Sequence, residues 1–152
     1  MSAPWAVHGT DLSFEVVDRA KSGLYPLDRC TNIPPEYLRR YCLKGEGRYS
    51  GSLLVSRELR ARTQFRHANL MRPLPDDLPQ FDVIFLRNVL IYFDNRARTE
   101  MIERVSRKLK PDGILYIGHA ESLNGLDVNL RRSEEHTLNS SHSQQSRMPS
   151  SA

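Results

Sequence analysis

Asp11, the pair Asn69–Leu70 and the pair Arg87–Asn88 each follow a short run of strand-forming residues. In an open α/β sheet, ligands bind beyond the carboxyl ends of the strands, so these positions are the first candidates for chemistry. An acid in the place of Asp11 can accept hydrogen bonds from both hydroxyls of a nucleotide ribose. Its competing use is to cap the next helix, but Ser13 is available for that, so both readings stand. The amide of Asn69 and the flat apolar side chain of Leu70 suit the edge and face of an adenine. Taken alone, the residues favour the plainer alternative, a loop asparagine closing its own turn. Arg87 interrupts the most apolar stretch of the chain, FDVIFLRNVLIYFD. An unpaired arginine is costly to bury, so it must leave the sheet at the strand end or meet an anion there. Glycine spacing in GEGRYSG, Gly45 to Gly51, suggests a phosphate loop. A dinucleotide fingerprint needs a strand before it and a helix after it, whereas SLLVS, which follows, reads as strand. A hairpin loop fits better.

Other chemistries find little support. The five histidines and two cysteines show no ligand spacing, so no metal site is predicted. Cys30 and Cys42 make neither a CxxC pair nor a disulfide framework; a reducing cytosol fits best, and a cytoplasmic location is expected. No signal peptide opens the chain, and no apolar run approaches the length of a membrane span. The net charge is +4 with a pI of about 9.3, and the charges are interspersed except for the arginine-rich run from Arg57 to Arg66. That run reads as a solvated face. It lacks the interleaved aromatics that stack bases, so no nucleic-acid partner is expected.

Several elements must position these residues. Trp5 to Asp11 reads as a strand, and FEVVDRAKS, capped by Ser13 and stopped by Gly23, as a helix. Thr31 to Tyr41 reads as a short helix with two prolines in its first turn. Residues 41–56 read as a β-hairpin around the glycine loop, followed by a strand at Thr63–His67 and a proline-marked loop. FDVIF has the continuous apolar character of a strand covered on both faces. Asp94 caps a helix, NRARTEMIERVSRKLK, with Ala97, Met101, Val105 and Leu109 on one face beside Ile102. Lys110 to Gly113 is expected to end it and turn into the buried strand ILYIGH. Strand–helix–strand at this spacing predicts a βαβ unit and a parallel sheet. From Arg132 onward the composition cannot build a core. RSEEHTLNSSH and SRMPSSA resemble translations of a sequencing adapter, so 132–152 is expected to be disordered and without biological content.

With these pieces in order, the chain resembles the CheR family of chemotaxis receptor methyltransferases. The resemblance runs from about Val7 to about Leu123. It is carried by FDVIFLRNVLIYFDN and LKPDGILYIGHAESL, with GTDLS, AKSGLYP, GEGRYSG and ANLMRPLP in the matching order. It implies an α/β fold: a partial Rossmann-like, S-adenosylmethionine-dependent methyltransferase sheet in 1–131, with a small inserted antiparallel β-subdomain at about 41–67. It implies S-adenosylmethionine as cofactor and methyl transfer to glutamate side chains of membrane chemoreceptors, giving γ-methyl esters. Asp11 then stands as the ribose-binding acid, Asn69 and Leu70 flank the adenine, and Arg87 and Asn88 lie beside the methionine moiety. Tyr92 matches a tyrosine near the transferred methyl; its alternative is a core aromatic at the start of the helix. Lys44, Gly45, Gly47 and Gly51 match the hairpin that binds a receptor's C-terminal peptide in some members. Two arginines of those members are replaced here, by Lys44 and Leu54, which puts the anchoring of a carboxylate terminus in question. The expected partner is the cytoplasmic portion of a chemoreceptor, and a monomer is expected.

The resemblance also implies segments not found here: a helical N-terminal domain, the first strand of the sheet, its glycine-rich cofactor loop, and strands after Leu130. A chain truncated at both ends is expected to bind S-adenosylmethionine poorly or not at all, to aggregate through open strand edges, and to be inactive. The alternatives are a non-catalytic receptor- or peptide-binding module and a gene fragment without function.

Overall fold

A computed structural model describes residues 4–118, 121, 123, 125–132 and 145–147. Two compact units divide the chain, Met1–Ala68 and Asn69–Ala152.

In the first unit, β1 (Val7–Asp11) lies parallel to β5 (Thr63–His67), in register from Val7 opposite Thr63 to Asp11 opposite His67. Between them in sequence, α1 (Phe14–Ser22) begins at Ser13, whose Oγ accepts the Val16 N–H at 3.3 Å. It stops at Gly23, where φ is 66° and the N–H reaches back to the Arg19 and Ala20 carbonyls. Glycine enters this left-handed region without the steric penalty other residues incur. A small antiparallel sheet follows, β2 (Leu24–Pro26), β3 (Cys42–Lys44) and β4 (Ser52–Val55), in the order β2-β4-β3. It therefore spans 24–55 rather than the expected 41–67. Leu24 pairs with Leu54 to supply a third strand, and Thr63–His67 belongs instead to the parallel pair. The helix expected from Thr31 is shorter, α2 (Pro35–Tyr41), because a residue preceding proline is driven out of the helical region and both Ile33 and Pro34 precede one. Part of the arginine-rich run forms a short helix, α3 (Arg57–Arg60), capped by Ser56. Arg60 donates to the Val55 carbonyl at 3.0 Å, and Arg62 lies 4.9 Å from the centre of the Trp5 ring, so these cations are not simply solvated.

In the second unit, β6 (Phe81–Leu86), α4 (Asn95–Ser106) and β7 (Leu109–Ile117) form the expected parallel βαβ unit. Asp94 caps α4, its Oδ1 accepting the Ala97 N–H at 2.9 Å. The helix ends at Ser106 rather than continuing to Lys110, since Pro111 can donate no N–H and would collide with the preceding turn. Lys110 to Gly113 instead lies within β7: Phe81 is opposite Leu109, Val83 opposite Ile114, and the surplus residues are absorbed there. Asp112 takes a positive φ of 63°.

The core of this unit is one cluster of Leu86, Leu90, Met101, Ile102, Val105, Leu109, Leu115 and Ile117. Alternation along the strands decides which residues enter it. Ile84, Leu86, Leu115 and Ile117 face this cluster, where Met101, Ile102 and Val105 of α4 also lie. Val83 and Phe85 face the other way, and Phe85 is 70% exposed, stacked on Tyr116 with centroids 5.0 Å apart. The expectation that FDVIF is covered on both faces is thus corrected. Among the described residues α4 is the one long helix of the unit, and it shields one face.

Gln145–Arg147 forms β9, antiparallel to Ile114–Tyr116 of β7 and paired in turn with β8 (Arg131–Arg132). These residues fall partly in the stretch expected to be disordered. An open strand edge recruits a segment through backbone hydrogen bonds, without requiring apolar side chains. The rest of that stretch lies outside the described residues.

Candidate functional site: the carboxyl ends of the parallel strands

Asp11 closes β1, as expected. Its Oδ1 accepts the Ser13 N–H at 2.8 Å, so it shapes the entry to α1 while its carboxylate remains exposed. Ser13 caps the helix, so Asp11 is not needed for that bond. Beside Asp11, its strand partner His67 stacks on Phe14, centroids 4.0 Å apart and planes within 3°. The sequence reading did not single out this flat pair; its signal was an aromatic three residues past the strand-end acid.

Asn69 and Leu70 open the second unit. Asn69 does close its own turn: Oδ1 accepts the Met71 N–H at 2.9 Å and its carbonyl accepts from Arg72 at 2.9 Å. This leaves the side-chain NH2 free to donate. Leu70 packs against the core cluster, and its carbonyl accepts from Arg104.

Arg87 and Asn88 stand at the carboxyl end of β6, and both are exposed. Arg87 has left the sheet, as its charge requires, and meets no acidic partner among the described residues. Asn88 adopts a left-handed conformation, φ 58°, which asparagine tolerates better than most residues. The chain reverses there, and Leu90–Tyr92 forms a single 3-10 turn. Leu90 plugs the core, while Tyr92 projects outward with 77% of its surface exposed. Tyr92 is therefore not part of the core cluster of this unit. Arg87, Asn88 and Tyr92 thus share one corner of the second unit.

Glu121 holds that corner and was missed by sequence reasoning. It is 2% exposed and is the buried charged residue among those described. Its carboxylate accepts four backbone N–H groups: Asn88 at 3.0 Å, Val89 at 2.7 Å, Leu90 at 2.6 Å and Gly118 at 2.7 Å. Gly118 is needed for this approach, since a Cβ there would lie 2.5 Å from Glu121 Oε2 and 3.1 Å from the Asn88 nitrogen. From the other side, Arg98 Nε donates to the Leu90 and Phe93 carbonyls, both at 2.9 Å. The available signal was an acid in GHAESL, four residues beyond the end of a strand too apolar to tolerate an unpartnered carboxylate.

The hairpin residues lie in the first unit. Lys44 ends β3 and is exposed. Gly45 donates to the Ser52 carbonyl at 2.8 Å, and a Cβ on it would sit 2.0 Å from the Tyr49 carbonyl. Gly47 and Gly51 take positive φ at either side of the turn. The hairpin reading of GEGRYSG holds, and its glycines answer to loop geometry. Burial pushes the Cys42 thiol above its ordinary range, and Cys30 adds to the rise, which disfavours a thiolate nucleophile there.

A parallel βαβ unit with polar residues gathered at its strand ends belongs to the Rossmann-like class to which S-adenosylmethionine-dependent methyltransferases also belong. The N-methyltransferase NodS from Bradyrhizobium japonicum superposes with a TM-score of 0.52 at 16% identity, over 95% of this chain and 74% of that one; this likeness bears on fold alone. The profile described as "CheR methyltransferase, SAM binding domain" matches residues 1–138, and the chain belongs to that family. Similar curated proteins are the chemotaxis protein methyltransferases of Salmonella typhimurium, 37% identical over 122 residues (80% of this chain, 42% of the relative), and Escherichia coli, 37% over 123 residues (81% and 43%). Chemotaxis protein methyltransferase 2 of Pseudomonas aeruginosa is 36% identical over 119 residues. The chain thus spans about two-fifths of the length of these relatives. S-adenosylmethionine is the cofactor of the family.

The residues of the β6 corner fit that cofactor's methionine end. A cation without an acidic partner among the described residues and an exposed asparagine, on a backbone fixed by buried bonds, suit a ligand bearing a carboxylate and an ammonium group.

Proposed function

We propose that this chain carries the donor-binding part of a methyltransferase that esterifies glutamate side chains on the cytoplasmic portion of chemoreceptors. The observation behind this reading is the β6 corner, where exposed Arg87 and Asn88 are set on a rigid turn with Tyr92 beside them. In this reading Asp11 binds the ribose hydroxyls, Asn69 and Leu70 flank the adenine, and Arg87 and Asn88 hold the methionine end. When bound, S-adenosylmethionine would supply an electrophilic methyl group on its sulfonium. The acceptor carboxylate is ionised at neutral pH, so the protein need not remove a proton. Its work is alignment and exclusion of water. Tyr92, exposed at this corner, is proposed to orient an acceptor oxygen through its hydroxyl, and exposed Ile91 to shed water from it. Lys44, with the loop shaped by Gly45, Gly47 and Gly51, is proposed to engage a receptor peptide. Leu54 in place of a cation makes that contact weaker. The protein acts in the cytoplasm as a monomer.

By itself the chain is proposed to be inactive, binding the donor more weakly than the micromolar range. The test uses residues 1–131 grafted in place of the matching segment of the Salmonella relative, beside the chain alone. Methyl-labelled S-adenosylmethionine and a receptor cytoplasmic fragment are supplied. The graft should give alkali-labile label on the receptor, reduced at least about tenfold by Arg87→Ala; the chain alone should give none. A folded graft that transfers no methyl, or label that resists alkali, refutes the reading. A second reading, a non-catalytic receptor-binding module, is favoured by the three-stranded pairing of the hairpin sheet within the first unit. Capture of a receptor tail by a graft that transfers no methyl would select it.

A further inference from the structure

We infer that Glu121 is a positioning residue for the donor site: its carboxylate fixes the Arg87–Asn88 corner and, by being fully occupied, leaves Arg87 free for an external anion. The inference rests on the reading of that corner as the donor's methionine end. Three successive N–H groups, those of Asn88, Val89 and Leu90, converge on one point because Asn88 is left-handed and Val89 right-handed, φ 58° and φ −111°. Such a concavity of consecutive amides is an anion-binding nest. Here the protein fills it with its own carboxylate, and the Gly118 N–H completes the set.

Two consequences follow from the count of bonds. A carboxylate offers about four lone-pair sites, and four backbone donors occupy them. No acceptor site remains on Glu121 for a hydrogen bond from the Arg87 guanidinium, which pairs with no acid among the described residues. The same four bonds also fix the backbone that sets the directions of the Arg87 and Asn88 side chains. Glutamine has nearly the same shape but presents an NH2 where one oxygen stood. It cannot satisfy all four N–H groups, and it turns one donor against another.

Hydrogen–deuterium exchange read by mass spectrometry on the full chain, at low micromolar protein with and without 1 mM S-adenosylhomocysteine, tests this. In the unaltered chain, peptides spanning 86–93 should be protected, and the ligand should slow their exchange further. Glu121→Gln should speed exchange across 88–90 at least tenfold and abolish the ligand's effect there, while β6–β7 ladder peptides stay protected. If Glu121→Gln also opens the ladder, Gly118→Ala decides. It keeps the carboxylate but would place a Cβ 2.5 Å from Oε2, and the same local pattern is expected. A ligand effect on 86–93 that survives in the variant overturns the positioning role and leaves the donor-site reading intact. A ligand effect absent from the unaltered chain is sought in the graft of residues 1–131, and its absence there too overturns the donor-site reading and this inference with it.

Discussion

Replacing Leu115 and Phe85 by alanine, one at a time, tests which face of the β6–β7 pair carries the stability of the second unit. Leu115 is fully buried, 0% exposed, within the cluster that also holds Leu86, Met101 and Ile102. Truncating such a leucine removes its transfer energy and leaves a cavity, about 2–5 kcal/mol in all. Phe85 lies on the opposite face, 70% exposed. Roughly a third of the ~1.5–3 kcal/mol for burying a whole phenylalanine is at stake there, or about 0.5–1 kcal/mol. The stack on Tyr116 adds at most about 1 kcal/mol. Exchange protection of the β6–β7 ladder amides reads both. At about 1.4 kcal/mol per tenfold, Leu115→Ala should speed ladder exchange about 30- to 4,000-fold and Phe85→Ala about 2- to 30-fold. A Phe85→Ala effect equal to that of Leu115→Ala would refute the one-sided core and restore the two-faced burial that the apolar run FDVIF suggests.

Asp94→Ala removes the cap of α4 and should cost about 1 kcal/mol, seen as a lowered denaturation midpoint, whereas Asp94→Asn should recover most of it; equal losses in both would exclude capping as the cause. Lys110 donates to both oxygens of Asp82 at 3.0 and 2.9 Å, and this hydrogen bond holds the Asp82 carboxyl below its ordinary value of 3.8. Since the folded pKa is the depressed one, the pair's contribution is complete above 3.8 and is lost as pH falls through the lower folded value. Lys110→Met should bring the Asp82 titration back up towards 3.8 in a carboxyl-resolved NMR titration, and an unmoved midpoint would remove Lys110 as the cause.

Much of the fold was legible because its signals are local. Ser13 and Asp94 announce helix starts through the side-chain oxygen they offer, Gly23 announces a stop through its freedom at positive φ, and the spacing of Met101 and Val105 marks a buried helical face. Arg87 could likewise be placed outside the sheet from charge alone. The end of α4 was misplaced because the periodic pattern runs on through Leu109, which is buried from a strand rather than from the helix. The third strand, Leu24–Pro26, was invisible because three residues carry no periodicity.

By itself the sequence determined the βαβ unit, the hairpin, the family and the strand-end positions of Asp11, Asn69, Arg87 and Asn88, since each depends on residue types and short spacings. Only the tertiary structure decided that Tyr92 points outward, that one face of β6 is covered, and that Glu121 closes the corner. Those outcomes depend on groups far apart in the chain: Glu121 meets amides more than thirty residues before it. No local pattern encodes that a carboxylate following a buried strand will find its hydrogen bonds there.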